Sequence, residues 1–162
     1  MKIFIPIKHE SQRVKGKNFR KLNGVPLYKH TLYKLKQYTV FVDTDSDEII
    51  REIRSDSDLK NIVTLKRPDH LCGNEVSVNK LIDNLLQGLW RGLSESSTVI
   101  NDNDVICQIH VTSPFLKTDT LEKAYKFFEN DGCDSVVSCN LINSRLWTKQ
   151  EYGYCPVNHN PL

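Results

Sequence analysis

The fold class predicted from this sequence is α/β: a mostly parallel sheet with helices on both faces. Three observations predict it. Short runs rich in β-branched residues alternate with longer segments of helical period. The strand runs are apolar at nearly every position, as strands covered on both sides must be. The chain has 162 residues, 39% of them hydrophobic, enough to bury one sizeable core.

Ile3-Phe4-Ile5 reads as the first strand. A long polar loop follows, and then Leu27, Thr31, Leu32 and Leu35 share one helical face behind Pro26, a residue suited to a first helical turn. Val40-Phe41-Val42 is the second strand. Ile49, Ile50 and Ile53 mark the next helix, with Asp45 as its expected capping carboxylate and Glu48 three residues on. Ile62-Val63-Thr64-Leu65 is the third strand. The longest helical stripe comes next: Val78, Leu81, Ile82, Leu85, Leu86 and Leu89 recur at three- and four-residue spacing. Val105 to Ile109 is the fourth strand. Thr118 or Asp119 then opens a helix expected to turn Leu121, Ala124, Tyr125 and Phe128 inward. Ser135-Val136-Val137-Ser138 is the expected fifth strand. From Asn140 the pattern dissolves into Asn, Tyr, Gly and Pro, so residues 1–140 read as one domain and 141–162 as an irregular tail.

Composition removes several function classes. Twenty-two Lys and Arg against 20 Asp and Glu leave a net charge of +2, unlike a polybasic nucleic-acid binder. No run approaches the ~20 apolar residues of a membrane span. Met1 to Pro6 is too short for a secretory core, since Pro6 and Lys8 end it. Five cysteines without a C-x-x-C pair signal neither a disulfide framework nor a zinc site, and free thiols fit a reducing compartment. The expectation is a soluble, cytoplasmic protein. Asp43-x-Asp45-x-Asp47 starts like a calcium loop, but Glu48 stands where glycine is required and Arg54 where the bidentate glutamate belongs. The histidines have no metal-ligand spacing, and Ser113 lacks the G-x-S-x-G elbow.

Charge is not spread evenly. Residues 8 to 21 hold six basic side chains (Lys8, Arg13, Lys15, Lys17, Arg20, Lys21) and one acid, Glu10, a local charge of +5. The remaining 16 basic and 19 acidic residues sum to −3. In an open parallel sheet ligands sit outside the carboxyl ends of the strands, so the loops after Ile5, Val42, Leu65 and Ile109 are the ones to watch. A basic loop after the first strand suits a polyphosphate: Gly16 lets backbone N–H groups come close, and the cations neutralise charge that develops during transfer. Plain solvation of charge would also produce a basic loop. Gly16-Lys17 is not a P-loop, because Ser11 stands where its first glycine belongs and Asn18 where Ser or Thr follows the lysine. Among these residues Lys8, Arg13 and Lys17 are candidates to contact such a polyphosphate, with Ser11 and Gly16 contributing hydroxyl or backbone contacts.

Five blocks in order carry a family resemblance. Ile5-Pro6-Ile7-Lys8-x-x-Ser11-x-Arg13-x-x-Gly16-Lys17-Asn18, followed by Leu22-x-Gly24-x-Pro26-Leu27, is the first. Val42-Asp43-Thr44-Asp45-Ser46-Asp47-Glu48-Ile49 is the second, and Lys66-Arg67-Pro68-Asp69-His70-Leu71 with Asn74 and Ser77 the third. His110-Val111-Thr112-Ser113-Pro114-Phe115 and Asp134-Ser135-Val136-Val137-Ser138 complete the set. Together they resemble the CMP-sugar synthetases, the acylneuraminate cytidylyltransferases. The resemblance implies a Rossmann-like fold of the nucleotide-diphospho-sugar transferase type, with residues 1–140 as its nucleotide-binding domain. It implies transfer of CMP from CTP to a sialic-type sugar acid, such as N-acetylneuraminate, with release of pyrophosphate. By the same resemblance Lys17 and Arg13 are the catalytic cations, Asn18, Arg67 and Ser77 hold the cytidine, and His110 faces the sugar. Mg²⁺ is implied, with ligands unassigned in this chain.

The sequence also departs from the family. Lys8 replaces an arginine, His9-Glu10 a Gly-Gly pair, His110 a glutamine and Leu116 an arginine. Family members continue into a segment with an Asp-x-Asp metal site and a homodimerisation arm; residues 141–162 resemble the lead-in to such a segment, so the chain is expected to be C-terminally truncated. Three alternatives stand beside this reading. One is a truncated or degenerate relative that binds nucleotide without turnover. Another is a glycosyltransferase using the D-x-D pairs of Asp43, Asp45 and Asp47. The last is a nucleic-acid module, disfavoured because Phe19 is the only ring among residues 8 to 21 apart from His9.

Overall fold

The computed structural model describes residues 1–11, 13–89, 100, 103–139 and 146–157. In chain order the elements begin with β1 (Lys2–Ile7), a short hairpin of β2 (Lys21–Leu22) and β3 (Val25–Pro26), and α1 (Leu27–Leu35). β4 (Val40–Thr44), α2 (Asp47–Ser55), β5 (Ile62–Lys66) and α3 (Val78–Leu89) follow, then β6 (Ile106–Gln108) and α4 (Thr118–Asp131). β7 (Trp147–Gln150) and β8 (Gly153–Pro156) come last. β1, β4, β5 and β6 make one sheet in the order β5-β4-β1-β6, with every pairing parallel. These are the first four expected strands.

The register explains the layers. Ile3 lies beside Val40 and Ile5 beside Val42, on the face covered by Tyr28, Leu32 and Leu35 of α1 and Ile49 and Ile53 of α2. Phe4 lies beside Phe41 on the opposite face, against Leu81 and Leu85 of α3. β4 is buried at all five positions, which its unbroken apolar start anticipates for a strand between two helix layers. Helices on both faces are thus observed. Asn23-Gly24, at φ 51° and 81°, forms the two-residue turn between β2 and β3. Both residues need positive φ there, and Asn-Gly supplies it at low cost.

The structure corrects four expectations. Ser46, not Asp45, caps α2: its Oγ accepts the Ile49 N–H at 3.3 Å. The helix begins at Asp47, so Ser46 is the residue whose short side chain reaches that amide, and Asp45 lies one residue too early. Along α4 only Leu121 is buried, while Ala124 is exposed and Tyr125 and Phe128 are half-buried. An apolar stripe states a need for cover, not that a neighbour supplies it. Residues 135–138 form no strand, and Val137 is 83% exposed; β-propensity becomes a strand only beside a pairing partner. The stretch read as an irregular tail contains the antiparallel β7–β8 hairpin, pairing Trp147 with Pro156 and Lys149 with Tyr154. The side chain of Leu89 and residues 140–145 and 158–162 of the tail lie outside the described residues.

The chain divides into two compact units, Met1–Lys126 and Phe127–Leu162. The four-stranded sheet belongs to the first and the hairpin to the second. Among the described residues no helix is long and apolar enough to cross a membrane.

α1 is tied to the end of α2 through Asp56. Its Oδ2 accepts from Tyr33 Oη at 2.7 Å and Lys29 Nζ at 3.2 Å, and its Oδ1 accepts from the Asp58 N–H at 3.1 Å. The Tyr33 hydrogen bond, reinforced by Lys29 and opposed by burial, holds the Asp56 carboxyl below its ordinary range. The Tyr33 phenol is pushed up to about 12. A depressed carboxylate stabilises the fold above its unfolded pKa and loses that contribution as pH falls through the folded value. Tyr33→Phe should therefore cost about 1 kcal/mol near neutral pH. Urea unfolding at a series of pH values should show that cost fading as pH drops through and below the carboxylate range.

Candidate active site

From β1 the chain winds outward through β4 to β5, then returns to add β6 on the other side of β1. The reversal opens a crevice between the ends of β1 and β6, where open α/β sheets bind ligands. A cavity of about 490 Å³ lies there. Pro6 and Lys8 at the end of β1 line it, with Ser11, Arg13, Lys17 and Asn18 from the loop that follows. Arg67 and Asn74 line it after β5, and His110 and Thr112 after β6. Three of the four expected loops build the wall, and the loop after β4 does not. Seven expected site residues meet here: Lys8, Ser11, Arg13, Lys17, Asn18, Arg67 and His110. Gly16 and Ser77 are not on the wall.

Local structure assigns each its part. Gly16 has φ 62°, and its carbonyl accepts from the N–H groups of Phe19 and Arg20 at 3.0 and 3.1 Å, folding the turn at Lys17–Phe19. Its freedom thus serves the turn. Ser77 Oγ accepts the Lys80 N–H at 3.4 Å at the start of α3, where short hydroxyl residues satisfy an orphan helix amide. Asn18 is buried; its Nδ2 donates to the Lys8 carbonyl at 2.7 Å, and its Oδ1 has no partner. Lys8 Nζ donates to the Gly73 carbonyl at 2.6 Å and to Asn74 Oδ1 at 3.3 Å, fastening two sides of the cavity together. Arg13 is exposed and Lys17 half-buried, and neither has an ion pair among the described residues. His110 is exposed, with Nε2 3.0 Å from Gln108 Nε2.

Arg67 is 1% exposed, the largest fully buried side chain among the described residues. Its Nε donates to Asp43 Oδ1 at 2.5 Å and its Nη2 to the Asp43 carbonyl at 3.2 Å, while Nη1 has no partner. Burial pushes the Asp43 carboxyl above its ordinary range, and the Arg67 guanidinium pulls against that rise. This pair was not anticipated, because Asp43 and Arg67 are brought together only by the pairing of β4 with β5. It leaves Nη1 as the one guanidinium nitrogen of Arg67 not already bonded.

The D-x-D carboxylates are dispersed. Asp43 holds Arg67, Asp47 Oδ1 accepts from Lys66 at 2.7 Å, and Asp45 Oδ1 accepts the His9 N–H at 2.6 Å. Among the described residues no three His, Cys, Asp or Glu side chains form a metal cluster. Glu10 is the one carboxylate on the described cavity wall, too few donors for a protein-built metal centre. A more open hollow of about 550 Å³ lies beside Lys34 and residues 114–119. Lys34 is engaged there by the carbonyls of Pro114 and Leu116, so no comparable set of cations converges.

A family model described as cytidylyltransferase matches residues 3–79, which contain the basic loop, Asp43, Arg67 and Ser77. That stretch is similar to cytidylyltransferases. The chain is also 25% identical over 137 residues to a 3-deoxy-manno-octulosonate cytidylyltransferase from Christiangramia forsetii, covering 82% of this chain and 47% of that protein. Two solved structures share the fold. One is a CMP:2-keto-3-deoxy-manno-octonic acid synthetase complexed with CTP, at TM-score 0.58 and 18% identity, covering 80% of this chain and 47% of that one. The other is a cytidylyltransferase from Leptospira borgpetersenii, at TM-score 0.54 and 19% identity, covering 80% and 49%. These relatives support the CMP-sugar synthetase type. The chain spans about half the length of each.

Breaking the buried pair beneath the cavity should be costly. Asp43→Ala leaves Arg67 charged and uncompensated, an expected loss of about 3–5 kcal/mol in urea unfolding. The double variant Asp43→Leu/Arg67→Met should recover most of that loss.

Proposed function

We propose that this chain carries the nucleotide-binding part of a CMP-sugar synthetase, which transfers CMP from CTP to a sugar acid. The carrying observation is that Arg13 and Lys17, without ion-pair partners among the described residues, face the crevice between β1 and β6. In the proposed reaction a hydroxyl oxygen of the sugar acid loses its proton to solvent and bonds to the α-phosphorus of CTP. The bond from that phosphorus to the bridging oxygen breaks, and pyrophosphate leaves with the electron pair. Such transfer needs positioning and charge neutralisation more than covalent help from the protein. Arg13 and Lys17 supply the charge, with Ser11 as a hydroxyl contact. Asn18 Oδ1 and Arg67 Nη1 are the polar atoms available to a cytidine on the inner wall. His110 and Thr112 bound the opposite side, where the acceptor would enter. Magnesium would enter with the triphosphate, and Glu10 is the one carboxylate on the described wall that could face it.

The curated relative is named for 3-deoxy-manno-octulosonate, which makes that acid the first acceptor to test and a sialic-type acid the second. Nucleotide binding without turnover is a second reading. It is favoured by one observation: Lys8 is already bonded to Gly73 and Asn74 and Arg67 to Asp43, leaving few uncommitted cations on the wall.

Calorimetric titration should show CTP binding, and Lys17→Ala should weaken it at least about tenfold with an unchanged melting curve. Pyrophosphate release on adding CTP, magnesium and either acid would support the transferase reading. Binding without release supports the second reading, and no CTP binding overturns both.

A further inference from the structure

His9 has no part in the nucleotide site above, yet it is among the most connected residues of the basic loop. Its backbone N–H donates to Asp45 Oδ1 at 2.6 Å, and its ring Nδ1 lies 2.8 Å from Ser46 Oγ. Ser46 is buried, and its oxygen already accepts the Ile49 N–H at the start of α2. Either the Ser46 hydroxyl donates to Nδ1 or its second lone pair accepts from it, according to the ring's tautomer; both keep the contact. The ring also meets Phe19 edge-on, centroids 5.2 Å apart, and Phe19 meets Tyr28 at 6.2 Å. His9, Ser46 and Asp45 do not make a hydrolytic triad: Asp45 faces the His9 backbone, and Ser46 is buried in its capping role.

His9 and Phe19 stand at the two ends of the segment that carries Arg13, Lys15, Gly16 and Lys17. Their ring contact, together with the bond from Asn18 to the Lys8 carbonyl, joins those ends. The bond to Ser46 then fastens the joint to the rigid end of β4. We propose that His9 is a positioning residue: it closes the neck of the 9–19 loop and so holds Arg13 and Lys17 at the cavity before a ligand arrives. A loop open at the neck must lose its conformational freedom when it binds, whereas a closed one has lost most of it on folding. The choice of CTP as ligand rests on the proposed function; the closed neck does not.

The test uses the full chain as wild type, His9→Ala and His9→Asn, whose amide reaches the Nδ1 position. Hydrogen exchange without ligand should quicken across residues 8–20 in His9→Ala, leaving the β1 and β4 amides as slow as in wild type. CTP affinity should fall about three- to tenfold. His9→Asn, which keeps the bond to Ser46 but not the ring contact, should fall between wild type and His9→Ala in both. Unchanged exchange in 8–20 overturns the neck. Faster exchange with unchanged CTP affinity overturns the positioning role. Equal acceleration in β1 and β4 shows general destabilisation and overturns it too. Wild type that binds no CTP defeats the nucleotide reading instead, and exchange alone then decides the neck. Should His9→Ala not fold, Phe19→Leu removes the ring contact while keeping apolar bulk; it should quicken loop exchange in the same sense, and no change would overturn the proposal.

Discussion

Ile3 to Ile7 of β1 run beside Val40 to Thr44 of β4 in parallel, and this register determines how α1, α2 and α3 cover the sheet. It sends Ile3, Ile5, Val40 and Val42 toward α1 and α2, and Phe4 and Phe41 toward α3. A slip of one residue would exchange the two faces and strip both cores at once. The same register sets Pro6 beside Asp43 and Ile7 beside Thr44, so that both strands end together. The loop leaving β1 then meets Asp45 and Ser46 as they leave β4. Core packing and site assembly are thus two consequences of one pairing.

At that shared end the molecule accepts a cost. Burying Asp43 with Arg67 removes two charges from water, and the pair is held by two hydrogen bonds from a guanidinium that keeps one nitrogen unpartnered. A pair of leucines would pack there with less desolvation. The ion pair instead fixes the ends of β4 and β5 side by side and gives the inner cavity wall a polar edge. Above it the loop cations face the opening, and their mutual repulsion is tolerable because the loop is tied at its neck and lies near solvent. An inner wall whose buried charge is paired, and a cationic rim, suit a small anion with a polar base better than an extended polyanion.

Much of this was legible before folding was considered. The stripe of Leu81, Ile82 and Leu85 reads as a helix because 3.6-residue periodicity is local. The basic loop is legible because charge density is local as well. The hairpin at Asn23-Gly24 was not among the expectations, although that dipeptide is a strong hairpin signal between short strands. By contrast, Val136 and Val137 carry strand propensity without a strand, because pairing requires a partner that propensity cannot name. Trp147 to Pro156 forms a hairpin although its Gly and Pro residues suggest irregular chain; cross-strand pairs such as Lys149 with Tyr154 decide it.

The sequence by itself determined the four parallel strands, the helices that cover them and the place where cations would gather, since periodicity, composition and motif order are properties of neighbours along the chain. Only the tertiary structure decided which residues do which work. Gly16 and Ser77 went to a turn and a helix cap, Arg67 to Asp43, Lys8 to Gly73 and Asn74, and His9 to Ser46. The reason is physical: a side chain's hydrogen-bonding capacity is finite, and its partner is chosen by distance in space. Asp43 and Arg67 are 24 positions apart, and Lys8 and Gly73 are 65 apart. No spacing rule along the chain reaches that far.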